Sequence, residues 1–282
     1  MPGLAIRKHR CGTPARNVEV PPSIGVSVGL LDGKRLLITG VLTKDSLAYA
    51  VAQLAHDEGA ELVLTGAGRG LSITTRTARK ISADLDVLEF DVTDDSHAAA
   101  VRDALASKWD RVDGALHAIA FAPESALGGN FLSTEWDDVA LAMRISAWSL
   151  RAVADAVTPL MTDGGSIVGL DFDGQVAWPG YDWMGVCKAA LESTSRYLAR
   201  DLGAQGIRCN LVAAGPVRTL AARSIPGFEL FEDVWHDRAP LGWSVRDPTV
   251  VAKACVALLS DWFPATTGEV IHVDGGYHAM GV

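Results

Sequence analysis

The sequence predicts a single doubly wound α/β domain of the Rossmann type, a seven-stranded parallel sheet with helices on both faces. Three observations predict it. Seven short apolar runs recur after Lys34, helical stretches separate most of them, and no linker or composition break divides residues 30 to 282. Apolar strands alternating with helices are what a parallel sheet buried on both sides requires, because each crossover lays a helix on one face.

The first run, Arg35 to Gly40, is a buried strand ending in glycine. Helical periodicity follows from Ser46 to Glu58 through Leu47, Ala48, Val51, Leu54 and Ala55, and Gly59 closes it. Glu61–Thr65, Asp86–Phe90 and Asp113–Ile119 are the second, third and fourth strands. Ser166–Leu170, Ile207–Val212 and Glu269–Val273 are the fifth, sixth and seventh. The helical stretches between them are Ser96–Lys108, Trp136–Met161, Tyr181–Leu202 and Pro248–Leu259. Residues 29–282 are therefore read as one doubly wound domain.

Composition narrows the partners. Of 282 residues 49% are apolar, yet no segment reaches the ~18 uninterrupted apolar residues of a membrane span. A formal net charge of −9 argues against nucleic acid. Cys11, Cys187, Cys209 and Cys255 show neither a CxxC pair nor metal-ligand spacing, so they read as reduced thiols of a cytoplasmic protein with no metal. Residues 1–28 carry Arg7, Lys8, His9, Arg10 and Arg16 with Pro14, Pro21 and Pro22 and no periodicity; they read as a flexible extension without a signal-peptide apolar core.

In such sheets ligands bind at the carboxyl ends of the strands, near the point where strand order reverses. The loop after the first strand runs TGVLTKDSLA. It lacks the G-x-G-x-x-G fingerprint and keeps Gly40 alone, with Ser46 at the helix start as a candidate N-cap and Leu47 beside it. A helix N-terminus there offers amide donors to a pyrophosphate, although a capped helix also serves as plain structure. The glycine-rich stretch Gly66–Gly70 meets the adenosine ribose rather than the pyrophosphate, or is a mobile surface loop. It has no acid for a ribose hydroxyl, and Arg69 leaves NADPH open beside NADH. Asp91 and Val92 follow the third strand, where an aspartate can meet adenine or cap a helix. Ala118, Ile119 and Ala120 follow the fourth, where the nicotinamide ribose would pass.

The stretch YDWMGVCK places Tyr181 and Lys188 seven positions apart. On a helix that is about 700°, nearly two turns, so both side chains share a face. Gly40 with Ser46-Leu47-Ala48, then Tyr181 with Lys188, resembles the enoyl-acyl-carrier-protein reductases, the divergent branch of the short-chain dehydrogenase/reductase superfamily. Similar stretches occur at GSIVGLDFD, NLVAAGPVRTLAA and TGEVIHVDGG, so the resemblance spans about Leu31 to Gly276, and actinobacterial members look most alike. The ketone-reducing branch would need Lys at position 185 and Ser near position 168, where this chain has Gly185 and Val168. Reduction of a 2-enoyl thioester puts hydride on the β-carbon while charge develops on the distant carbonyl oxygen. A donor set back from the hydride acceptor suits that demand.

The resemblance implies roles residue by residue. Tyr181 would bond the thioester carbonyl, Lys188 would hold the nicotinamide ribose and lower the phenol pKa, and Phe172 would border substrate and nicotinamide. Thr219 would bond the pyrophosphate, and Ile119 and Ile145 would line the cofactor cleft. Asp171 and Asp173 read as solvated turn acids. Residues 219–235 would form a mobile lid over an ordinary fatty-acyl chain carried on acyl carrier protein or coenzyme A. Arg218, Arg223, Arg238 and Arg246 are candidates for a basic patch meeting an acidic carrier. The implied assembly is a homotetramer with the last strand and the Pro248–Leu259 helix at an interface. The implied activity is NADH-dependent enoyl reduction in fatty acid elongation. The alternatives are an enoyl reductase of a specialised pathway, or a dinucleotide-binding regulator weak in catalysis.

Overall fold

A computed structural model describes residues 28–281; of the expected extension, residues 1–27 lie outside the described residues. The strands are β1 (Arg35–Ile38), β2 (Glu61–Gly66), β3 (Asp86–Glu89), β4 (Gly114–His117), β5 (Gly165–Asp171), β6 (Ile207–Ala214) and β7 (Val270–Val273). They form one sheet in the order β3-β2-β1-β4-β5-β6-β7, and every neighbouring pair is parallel. Strand order reverses between β1 and β4, which opens a crevice at their carboxyl ends.

The helices are α1 (Leu47–Asp57), α2 (Arg69–Ala78), α3 (Asp95–Lys108), α4 (Trp136–Met143), α5 (Ser149–Val157), α6 (Asp182–Leu202), α7 (Phe228–Arg238) and α8 (Thr249–Leu259). Successive strand residues face opposite sides, so Leu37 and Val63 pack with α3, α5 and α6. Leu36, Ile38, Leu62 and Leu64 pack with α1 and α8 on the other face. The two apolar layers sandwich the sheet, and at about 25 cal/mol per Å² of buried apolar surface they are the main source of stability.

Three elements depart from expectation. The Gly66–Gly70 stretch is no loop: Gly66 ends β2 and Arg69 begins α2. The segment 219–235 is largely helical, because Phe228, Phe231 and Trp235 bury one stripe of α7. The long helix expected over Trp136–Met161 is interrupted by a π-helical turn at Arg144–Trp148. There Ser146 Oγ leaves the helix to bond both the amide and the carbonyl of Phe121. A wider turn of this kind reorients side chains inside an otherwise regular helix.

Candidate active site

A cleft of about 930 Å³ opens at the carboxyl ends of the strands, over the β1/β4 crossover point. Its phosphate end is built from backbone. Gly40 has φ +80°, and a Cβ there would lie 2.0 Å from the Ala118 carbonyl oxygen, so only glycine lets β1 and β4 approach so closely. Ser46 stands at the N-cap position of α1 but does not cap it. Its hydroxyl donates to the Thr43 carbonyl at 2.5 Å, and no side chain bonds the first-turn amides. The Leu47 and Ala48 amides keep their donors and the partial positive charge of the helix end for an anion, while the Tyr49 amide bonds the Ser46 carbonyl. The uncapped helix start beside Gly40 fits a pyrophosphate.

Leu47 flanks that helix end, and Asp91, Val92, Ala118, Ile119 and Ala120 continue the same wall. Asp91 does not cap α3; Asp94 does, through the Ser96 amide. One Asp91 oxygen takes the Thr93 amide and hydroxyl, at 2.8 and 2.6 Å. Ile145 lies on the π-helical turn, and Thr219 closes the far side, its hydroxyl oxygen accepting from the Ala222 amide. Arg69 is exposed and the lining at the end of β2 is Thr65, Gly66, Ala67, Gly70 and Thr74. Among the described residues, no cation lines the cleft at this end, where a ribose 2′-phosphate would need one.

Tyr181, Lys188 and Phe172 meet at the middle of the cleft. Tyr181 immediately precedes α6 and Lys188 lies two turns into it; both are buried. The start of α6 is pinned by Asp182, whose φ of +43° is unique for a non-glycine among the described residues. Its carboxylate accepts from the Gly129 and Asn130 amides at 2.6 and 2.9 Å, which offsets a left-handed conformation costing ~1–3 kcal/mol. Phe172 meets the Tyr181 ring edge-on at 5.3 Å. Lys188 Nζ donates to the Leu170 carbonyl at 3.0 Å, leaving two ammonium hydrogens for other partners.

The expectation that Lys188 lowers the Tyr181 pKa is corrected. Burial pushes the phenol above its ordinary value, and Asp171 and Cys187 push the same way. The phenol stays protonated, a hydrogen-bond donor rather than a base. Asp171 is also not a solvated turn acid: its side chain is wholly buried and neither oxygen has a hydrogen bond of normal geometry. Burial raises its carboxyl to about 7, opposed by Lys188. Asp173, by contrast, accepts from the Gln175 amide at the turn. Behind the site, His117 is fully buried and bonds Ser149 Oγ at 2.6 Å, while that hydroxyl donates to the Ile145 carbonyl. Burial and Lys188 lower its pKa to about 3, so the imidazole is neutral.

The opposite end of the cleft is aromatic. Phe172, Trp178, Phe231 and Trp235 lie within about 6 Å of one another, and Tyr277 stacks on Trp235 at 3.8 Å. Phe228, Phe231, Ile225 and Met184 present this apolar surface to the cleft. Sequence reasoning missed the wall, although the aromatic stripe of α7 at helical spacing was its available signal. Of the four arginines, Arg218 pairs with Glu232, which Arg246 also faces, and Arg238 donates to Gly281 and lies over Tyr277.

A family model described as Enoyl-(Acyl carrier protein) reductase matches residues 40–278. A relative from Mycolicibacterium smegmatis is 47% identical over 262 residues, 88% of this chain and 97% of that protein. One from Mycobacterium avium is 43% identical over 261 residues, with the same coverage. One from Aquifex aeolicus is 43% identical over 258 residues, 90% of this chain and 95% of its own. All three are named as NADH enoyl-acyl-carrier-protein reductases. With its parallel sheet, single-glycine cradle and Tyr181–Lys188 pair in one cleft, the chain belongs to the enoyl-acyl-carrier-protein reductase family.

Proposed function

We propose that the chain reduces trans-2-enoyl thioesters with NADH, in fatty acid elongation, on substrates borne by acyl carrier protein. The observation that carries this reading is the protonated Tyr181 phenol beside Lys188 and Phe172, facing a cleft with a backbone-built anion cradle at one end and an apolar wall at the other. When bound, the cofactor supplies the hydride that adds to the β-carbon.

The residues do the rest. Gly40 and the α1 N-terminus, with Ser46, Leu47 and Thr219 around them, take the pyrophosphate. Asp91 and Val92 take adenine; Ala118, Ile119, Ala120 and Ile145 hold the nicotinamide half against β4. Lys188 holds the ribose hydroxyls with its two remaining hydrogens. Tyr181 donates to the thioester oxygen, where negative charge grows as hydride arrives, and this is the interaction that strengthens in the transition state. Phe172 keeps water from the reacting carbons. The Arg69-free lining supports NADH over NADPH.

Residues 219–235 form a lid whose Phe228 and Phe231 cover the acyl chain. The chain assembles as a homotetramer in the cytoplasm. Exposed Val250, Trp262 and Phe263 around α8, and Trp136 and Trp148 around the π-helical turn, support burial between copies. No helix among the described residues is long and apolar enough to cross a membrane. Following NADH and NADPH absorbance with an enoyl thioester on carrier protein or on coenzyme A tests this reading. NADH oxidation with formation of the saturated thioester is expected; absence of turnover with either carrier contradicts it. Light scattering checks the tetramer.

A further inference from the structure

Among the described residues, Asp171 is the one ionisable group lining the cleft that the mechanism leaves without a task. It ends β5, paired in register with Ala213 of β6, and its carboxylate lines the cleft beside Tyr181 and Lys188. Neither oxygen has a hydrogen bond of normal geometry among the described residues; apart from Lys188, only the adjacent Phe172 backbone amide acts to hold its pKa down. A buried carboxylate without such bonds is costly, so it persists only where a neighbouring charge compensates it or a ligand meets it. The nearest cation is Lys188, whose Nζ lies 3.9 Å from Asp171 Oδ1. The same ammonium donates to the carbonyl of Leu170, the residue just before Asp171. Two consecutive residues of β5 therefore hold Lys188, one by its backbone and one by its charge.

We propose that Asp171 is the positioning residue of Lys188, keeping the buried ammonium charged and aimed at the cofactor ribose. Burial alone drives a lysine toward its neutral form; a carboxylate within about 4–6 Å opposes this by one to three pH units. In this site burial lowers the Lys188 pKa, and Asp171 is the largest opposing influence. The other ionisable groups around the pair do not substitute for it. His117 on β4 is neutral. Glu192 on α6 is occupied by the Gly174 amide and pairs with Arg196. Burial raises the Cys187 thiol to about 11, the Tyr181 phenol is protonated, and Asp173 lies near His272.

The inference rests on the proposed function only in that Lys188 faces a bound dinucleotide, and binding can be measured without any enoyl substrate. NADH affinity is titrated by fluorescence between pH 6 and pH 10 for the native chain, Asp171→Asn and Asp171→Ser. At pH 6, where Asp171 takes up a proton, the three proteins are expected to bind NADH similarly. Above pH 7 both variants are expected to lose affinity earlier, their alkaline limb displaced downward by about one pH unit, an approximately tenfold deficit once Lys188 has lost its proton. In a Lys188→Ala background, Asp171→Asn is expected to add no further loss, because its effect runs through the lysine. A uniform loss at every pH, or an additive double variant, assigns Asp171 a structural role and overturns the inference. Failure of the native chain to bind NADH at any pH overturns the functional reading instead.

Discussion

The two ends of the cleft are built by opposite means. The cradle at Gly40 is backbone: one glycine, an uncapped helix start and the Ala118 carbonyl 2.0 Å from where a Cβ would stand. The aromatic wall is side chain: Phe172 just after β5, Trp178 from the same loop, Phe231 and Trp235 from α7, and Tyr277 after β7. A backbone site binds what every dinucleotide shares, its phosphates. A side-chain site binds what distinguishes one acyl substrate from another. The difference teaches that substitutions at the two ends should fail separately, one in cofactor binding and one in substrate binding.

The largest effect is expected from Trp235→Ala, which removes a 2% exposed ring packed on Phe172, Trp178, Phe231 and Tyr277. A loss of about 3–5 kcal/mol in unfolding stability is expected, together with a raised KM for the acyl thioester. NADH affinity of the folded fraction should stay unchanged, and a parallel loss there would break the separation of the two ends. Gly40→Ala is the converse. Its positive φ and backbone clash should cost about 2–3 kcal/mol and weaken NADH binding, measured by calorimetry, while Phe231 and Trp235 keep their packing by near-ultraviolet dichroism. Lys188→Ala removes charged hydrogen bonds to the cofactor and is expected to weaken NADH binding by about 10- to 150-fold. Tyr181→Phe should spare NADH binding and lower kcat.

A smaller effect sharpens the contrast in protonation behind the site. His117 has a folded pKa of about 3, below its ordinary value, so the unfolded chain binds more protons and stability falls as pH drops below 6.5. Asp171 has a folded pKa of about 7, above its ordinary 3.8, so the folded chain binds more protons and stability falls as pH rises from about 4 to 7. The two slopes, each at most about 1.4 kcal/mol per pH unit, oppose one another across that window. Asp171→Asn should expose the His117 slope in unfolding titrations between pH 4.5 and pH 6.5. An unchanged pH profile in that variant would show that Asp171 does not titrate there.

The cradle was legible in the sequence because backbone geometry leaves a residue signature: only glycine fits position 40, and Tyr181 and Lys188 keep helical spacing. The parallel sheet was legible for a similar reason, since strands buried on both faces are apolar throughout. The aromatic wall was not, because its rings come from four separated segments, and the helical spacing within α7 signals only that helix's share of it. Asp171 was misread because Asp-Phe-Asp after a strand looks like a turn; its burial depends on Lys188, brought over by α6. The π-helical turn at Ile145 left no pattern, as it arises from the Ser146 bonds to Phe121, distant in sequence. The helix α2 escaped because its start is glycine-rich.

The most direct test sets a trans-2-enoyl thioester against a β-ketoacyl thioester of the same chain length, with NADH, in one assay. The Tyr181–Lys188 spacing, with Gly185 and Val168 where ketone reduction would need Lys and Ser, predicts turnover of the enoyl substrate alone. Turnover of the ketoacyl substrate without the enoyl one would contradict the account.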